Sequence, residues 1–185
     1  KSKTMFGLDR ARRPIAQAKR VLICEGQLDV IACVEQGISY AIAPLGTAFT
    51  SDHARMLKRY TDEAVLCFDS DSAGRKAVER SFRELVSAGI GVKVVDMPEG
   101  EDPDSLIQNE GVEAFTRRID GALDFFDFKL LHGRHEFDLS DPTQRSELTR
   151  QIASLLAVIK DPVALDTLIQ KLSGQLNIGT SSLRD

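Results

Sequence analysis

The sequence contains no tryptophan, two tyrosines and nine phenylalanines, and the phenylalanines stand mostly in apolar surroundings. Stacked aromatic platforms for nucleic-acid bases are therefore not expected. No run of about 18 uncharged apolar residues occurs, which excludes a membrane-spanning helix. There is no signal or transit peptide pattern after Lys1, so secretion has no support, and the chain reads as cut from a longer protein at both ends. Cysteine is scarce too: Cys24, Cys33 and Cys67 form an odd set without CxxC spacing. Cys24 and Cys67 lie in apolar stretches, which points to reduced core residues rather than a disulfide framework or zinc site. Low-complexity tracts and internal repeats are missing, so neither a sticky tract nor a solenoid is indicated.

What is present is a chain of 185 residues, 42% hydrophobic and 28% charged, with a net charge of −4. That suffices for one compact domain with a small appendage. The charge is split. Residues 1–20 hold seven bases and one acid, leaving 17 bases and 27 acids, a net −10, for the other 165. A basic strip beside an acidic body suits phosphates held near carboxylates that need metal ions, although such a strip also serves as a solvated arm.

From residue 21, short apolar β-rich runs alternate with helical periodicity, the pattern of βα units around a mostly parallel sheet. Strands are predicted at Val21-Leu22-Ile23-Cys24, Tyr40-Ala41-Ile42-Ala43, Ala64-Val65-Leu66-Cys67-Phe68 and Val92-Lys93-Val94-Val95. Helices are predicted between them, near Val30 to Gln36, Asp52 to Tyr60 and Ala73 to Ala88, the last with an apolar stripe of Ala77, Val78, Phe82, Leu85 and Val86 and a charged opposite face. After Met97, the pairs Asp102-Pro103, Asp141-Pro142 and Asp161-Pro162 mark three helix starts. The amphipathic runs that follow predict a small helical bundle without strands, beginning near Gly121 to Asp124. Thr180-Ser181-Ser182 resembles a cap whose helix is missing. Three segments result: a basic stretch over 1–20 leading into the core, an α/β domain over 21–122 and a helical subdomain over 123–185.

The acids fall where ligands collect in open α/β sheets, outside the carboxyl ends of parallel strands. The first strand runs into Glu25-Gly26-Gln27-Leu28-Asp29 and the third into Asp69-Ser70-Asp71-Ser72-Ala73-Gly74. If these strands are neighbours, Glu25, Asp69 and Asp71 converge. Ionised carboxylates so close repel one another and raise their own pKa values, which a hard divalent cation relieves. Oxygen donors without a Cys/His cluster favour Mg²⁺ or Mn²⁺, which keep coordination sites open for phosphate oxygens. Gly100-Glu101-Asp102-Pro103-Asp104 follows the fourth strand and can reach the same edge, while Asp102 also makes a helix cap whatever the chemistry. Leu45-Gly46-Thr47 is either a backbone phosphate cradle or a simple turn. His132 and His135 lack the glutamate of a zinc-protease motif, and His53 lacks a nucleophile elbow, so neither a zinc site nor a hydrolase triad is expected.

These motifs resemble a Toprim domain, the metal-binding module of bacterial-type primases, of type IA and type II topoisomerases and of some nucleases. Lys1-Ser2-Lys3-Thr4-Met5-Phe6-Gly7-Leu8-Asp9, Glu25-Gly26-Gln27-Leu28-Asp29-Val30, Leu45-Gly46-Thr47, Asp69-x-Asp71 with Gly74-Arg75, and Gly100-Glu101-Asp102-Pro103-Asp104 are together similar to the RNA-polymerase region of bacterial replicative primases. The resemblance covers roughly residues 1–120; the helical remainder matches in kind. It implies a Toprim-type sheet flanked by helices, then an all-helical subdomain. It also implies RNA primer synthesis on single-stranded DNA from nucleoside triphosphates, with Mg²⁺ or Mn²⁺ as cofactor. Glu25, Asp69 and Asp71 would be the metal-linked acids, Glu25 also the catalytic one, with Asp29, Asp102 and Asp104 in support and Lys1, Lys3 and Arg12 facing the nucleotide.

Two positions depart from the family: Gln27 replaces the usual aromatic residue, and Phe6 stands where tyrosine is common. By the same resemblance a zinc module, a further basic subdomain and the helicase-binding C-terminal region are missing, so the piece alone is expected to be weakly active or inactive. The implied setting is the bacterial cytoplasm, within the replication machinery. A Toprim nuclease or topoisomerase, and a non-catalytic metal-binding docking module, are the alternatives.

Overall fold

The computed structural model describes residues 4–46 and 48–184, so Lys1, Lys3 and Thr47 lie outside the described residues. Four parallel strands form where the apolar runs predict them: β2 (Val21–Cys24), β3 (Ala41–Pro44), β4 (Glu63–Cys67) and β5 (Gly91–Val94). Two antiparallel edge strands, β1 (Met5–Phe6) and β6 (Leu123–Asp124), complete the sheet in the order β1-β3-β2-β4-β5-β6. Between β2 and β4 the order reverses: β2 continues through α2 (Gln27–Glu35) outward to β3, while β4 continues through α4 (Ser72–Ser87) in the opposite direction to β5. Such a switch point opens a crevice at the carboxyl ends of the strands. The register Cys24↔Cys67 brings those two ends level.

Residues alternate across the sheet. Leu22, Cys24, Ala41, Ala43, Val65 and Cys67 share a core with Val30 and Cys33 of α2, Leu106 of α5 (Pro103–Glu110), and Phe115 and Ile119 of α6 (Val112–Asp120). Val78, Phe82 and Leu85, which α4 buries, are not among that core; the right-handed rule for crossovers running in opposite directions from the switch point puts α4 on the other face. Cys24, Cys33 and Cys67 are all buried free thiols. A hydrogen bond with Cys33, then burial, hold the Cys24 thiol well above its ordinary pKa, and burial does the same for Cys67. They are unreactive packing groups, as expected.

Three expectations change. The basic segment is no arm: Met5–Phe6 pairs with β3, and α1 (Leu8–Ala18) buries Leu8, Ala11 and Ile15, with its charges on the outer side. Pro14 stands inside α1. A strand does occur at Leu123–Asp124. Thr180–Leu183 is itself a short 3-10 helix rather than a cap without a helix.

The backbone divides into two compact units, Lys1–Asp124 and Phe125–Asp185. The second consists of α7 (Phe125–Glu136), α8 (Pro142–Leu156), α9 (Pro162–Leu176) and the 3-10 turn. Asp141 and Asp161 cap α8 and α9 through Thr143 and Val163 N–H groups, each helix with proline in its first turn. The unit's core gathers Leu148, Ile152, Leu155, Ile169, Leu172 and Leu176.

Candidate metal centre

Each acidic group sits where a strand gives way to a helix. At the β2–α2 turn Glu25 is the first residue past the strand and is exposed. Gly26 takes the N-cap position with no side chain to offer, so Asp29 reaches back and accepts a hydrogen bond from the Gly26 N–H at 2.8 Å. At the β4–α4 turn, Asp69 precedes Asp71, which caps α4 by accepting from the Gly74 N–H at 2.7 Å. The Asp69 N–H lies 3.4 Å from Glu25 Oε2 and donates to it across the switch point. Asp102 caps α5 by accepting from the Ser105 N–H at 2.7 Å. Its loop is tied to the Asp69–Asp71 turn by the Gly100 N–H, which donates to Ser70 Oγ at 3.0 Å.

The electrostatics record the convergence. Partial desolvation raises the Glu25 pKa despite its exposed edge, and the charges of Asp69 and Asp71 raise it further, against the hydrogen bond from the Asp69 N–H. Asp69 is raised by burial, then by Asp102 and Asp71. Asp29, 8% exposed, is pushed up to about 6, first by burial and then by Asp102, Asp69 and Glu25, against the hydrogen bond from Gly26. Among the described residues, no cation is named as acting on these three. Mutual repulsion without a counter-charge, on an all-oxygen donor set, fits a hard divalent ion. Among the described residues, no three such side chains are already gathered as a closed coordination shell. The fit therefore rests on donor chemistry and field.

The structure thus brings Glu25, Asp29, Asp69, Asp71 and Asp102 into one electrostatic group. Asp104 accepts from Gln108 Nε2 at 2.9 Å on α5 and is not among the groups acting on Glu25, Asp29 or Asp69. Arg12 is exposed on α1. On α3 (Ser51–Leu57), His53 is fully buried and closes a capping box with Thr50, accepting from the Thr50 N–H through Nδ1. Tyr40 is tied up as well: its hydroxyl accepts from Arg20, which also pairs with Asp120 at 2.8 Å. Sequence reasoning passed over Arg80, which shares a cavity with Glu25; an arginine on the charged face of α4 looks like solvated surface until the fold closes.

Residues 22–107 match the model of a family described as Toprim-like, and this span contains all six acids. Residues 126–181 match a second model, described as the DnaB-helicase binding domain of primase. The expectation that the helicase-binding region lies outside this chain is corrected by that match. A DNA primase of Escherichia coli is 34% identical over 181 residues, covering 96% of this chain and 31% of the relative. The Aquifex aeolicus primase structure, comprising zinc-binding and RNA-polymerase domains, superposes with a TM-score of 0.86 at 31% identity, covering all of this chain and 44% of that one. A DnaG primase catalytic domain bound to single-stranded DNA gives 0.79 at 33% identity, covering 94% of this chain and 57% of that one. The chain thus spans about a third of its curated relative's length, and the helical unit falls inside the region similar to solved primase polymerase domains. Toprim-like in its sheet and primase-like over both units, the chain belongs to the bacterial DNA primases, to whose catalytic core its residues correspond.

Proposed function

We propose that this chain supplies the metal-binding half of a primase active centre, which joins ribonucleotides into short RNA primers on single-stranded DNA. The observation that carries the reading is the meeting of Glu25 and Asp69 at the β2–β4 switch point, with Asp71 and Asp102 close enough to raise their neighbours' pKa values. Glu25, Asp69 and Asp71 would hold Mg²⁺ or Mn²⁺, with Asp29, Asp102 and Asp104 in support. Such an ion, when bound, neutralises triphosphate charge and lowers the pKa of an attacking 3′-hydroxyl. The chain's own part is positioning. Strand pairing fixes Glu25 against Asp69, the Gly26 N–H anchors Asp29, and the Gly74 N–H anchors Asp71. Lys1, Lys3 and Arg12 would contribute positive charge toward nucleotide or template.

Single-stranded DNA, nucleoside triphosphates and RNA primer are the proposed partners, by likeness to the primase catalytic domain bound to single-stranded DNA. A replicative helicase joins them, through residues 126–181, on the strength of the helicase-binding match. The proposed setting is the cytoplasm; among the described residues no helix is long and apolar enough to cross a membrane. A topoisomerase reading needs a free tyrosine, and Tyr40 is held by Arg20.

Calorimetric titration with Mn²⁺ tests the centre. The chain should take up the ion, and an Asp69→Ala, Asp71→Ala double variant should not; equal uptake by both would remove the site assignment. In a full-length primase containing this chain, Glu25→Ala should abolish template-dependent ribonucleotide incorporation, and undiminished incorporation would overturn the mechanism.

A further inference from the structure

Beside the acids, at the same end of the sheet, lies a cavity of about 330 Å³ whose wall includes Glu25, Pro44, Gly46, Phe49, Phe68 and Arg80. Its composition is unlike the rest of the acidic edge. Phe49 and Phe68 are 4% and 5% exposed and give it an apolar floor. Gly46 has φ +65° and open space where a side chain would stand, so the rim on that side is bare backbone. Glu25 and Arg80 are the charged residues of its lining.

Arg80 is exposed, and its guanidinium has no hydrogen bond or salt bridge among the described residues. That separates it from neighbouring arginines. Arg75, one turn and a half earlier on α4, donates to the Ser70 carbonyl and braces the Asp69–Asp71 turn. Side chains on a helix lean toward its N-terminus, which for α4 is the end carrying Asp71. A planar cation without a partner among the described residues, lining the same cavity as Glu25, is suited to a group that offers oxygens to both: phosphate bound at once to a cation held by Glu25 and to the guanidinium.

Resting on the metal reading above, we propose that Arg80 is a phosphate-binding residue of the centre, engaging a phosphate of a substrate whose neighbouring oxygens face the ion held at Glu25, Asp69 and Asp71. The groove extends the site from the switch point along α4 and gives this acidic unit a cationic contact of its own. Triphosphate tails and strand backbones both present the required oxygens.

The test is calorimetric binding of ATP, of tripolyphosphate and of a short oligodeoxythymidylate to the chain in saturating Mn²⁺, comparing wild type with Arg80→Ala, Arg80→Lys and Lys76→Ala. Loss of one charge-assisted contact weakens binding about tenfold. Arg80→Ala should show that loss, Arg80→Lys a smaller one, and Lys76→Ala, an equal charge change on an exposed residue of the same helix, little or none. A loss confined to ATP and tripolyphosphate assigns the contact to the triphosphate tail; a loss confined to the oligonucleotide assigns it to the strand. Unchanged affinity for all three probes, an equal loss in Lys76→Ala, or no binding of any probe by wild type overturns the proposal. The Mn²⁺ titration separates the two levels. Uptake that is normal in Arg80→Ala with unaltered probe affinity sinks Arg80 alone, whereas no uptake by wild type sinks the metal centre and Arg80 with it.

Discussion

The β2–α2 and β4–α4 turns lie side by side and both carry acids, yet they hand strand over to helix in different ways. At the first, the cap position is Gly26 in ordinary extended backbone (φ −119°), and the acid that closes the turn comes from inside the helix, at Asp29. Glu25 is left out of the capping. At the second, Asp71 is the cap, and the chain folds so tightly that a Cβ on Gly74 would stand 2.1 Å from the Asp69 carbonyl oxygen. The same addition at Gly26 meets only the movable Asp29 Oδ2, at 3.3 Å. Both turns are closed by a carboxylate on a backbone N–H, but only the second is also packed backbone against backbone, and the acids inherit that difference.

The widest gap between the turns should appear on adding a methyl group to each. Gly74→Ala forces backbone apart and should cost about 3 kcal/mol or more, whereas Gly26→Ala should cost under about 1 kcal/mol, mainly as a poorer cap. Urea denaturation of both variants checks this, and equal midpoints would dissolve the contrast.

Next in size is the effect of charge removal on ion uptake. Asp69→Asn should weaken Mn²⁺ binding by at least tenfold, about 1.4 kcal/mol. Asp29→Asn should weaken it less, because Asp29 is already engaged by the Gly26 N–H. Calorimetry ranks the two, and the reverse order would move the ion toward α2.

The pH dependence follows from Asp29, raised from 3.8 to about 6. Its proton is retained by the folded chain and lost by the unfolded one between those values, so folding is favoured at low pH and the contribution fades as pH rises through about 6. Thermal melts of the metal-free chain should therefore show a loss on going from pH 4.5 to pH 7 that Asp29→Asn diminishes and Mn²⁺ offsets. A loss of the same size in Asp29→Asn would assign the pH dependence elsewhere.

The smallest effect separates two roles of one residue. Asp71→Ala should cost about 1 kcal/mol through the lost cap, while Asp71→Asn should keep most of the cap and still weaken Mn²⁺ binding. If Asn is as destabilising as Ala, the charge rather than the hydrogen bond to Gly74 secures the turn.

Much of this was legible in the sequence because burial on both faces of a parallel sheet produces continuous apolar runs, and the acids follow those runs directly. Adjacency of the strands bearing Glu25 and Asp69 was only a condition, since strand order is settled by crossovers rather than local pattern. The edge strands Met5–Phe6 and Leu123–Asp124 are two residues long, too short for any alternation to register. Helix α1 was masked twice, by Pro14 in its interior and by arginines that read as a solvated arm; its burial rests on Leu8, Ala11 and Ile15, spaced three and four apart. Arg80 was invisible for another reason: its significance lies in sharing a cavity with Glu25 and having no partner among the described residues, neither of which chain position discloses.

The reversal of strand order between β2 and β4 also sets when the centre can come into being. Glu25 and Asp69 are 44 positions apart and belong to units that extend outward in opposite directions, so neither unit alone contains the pair. Ion capture by that pair would therefore be a property only of a chain whose two sheet halves have already joined, and a divalent cation binding that state alone would act as a clasp on the seam.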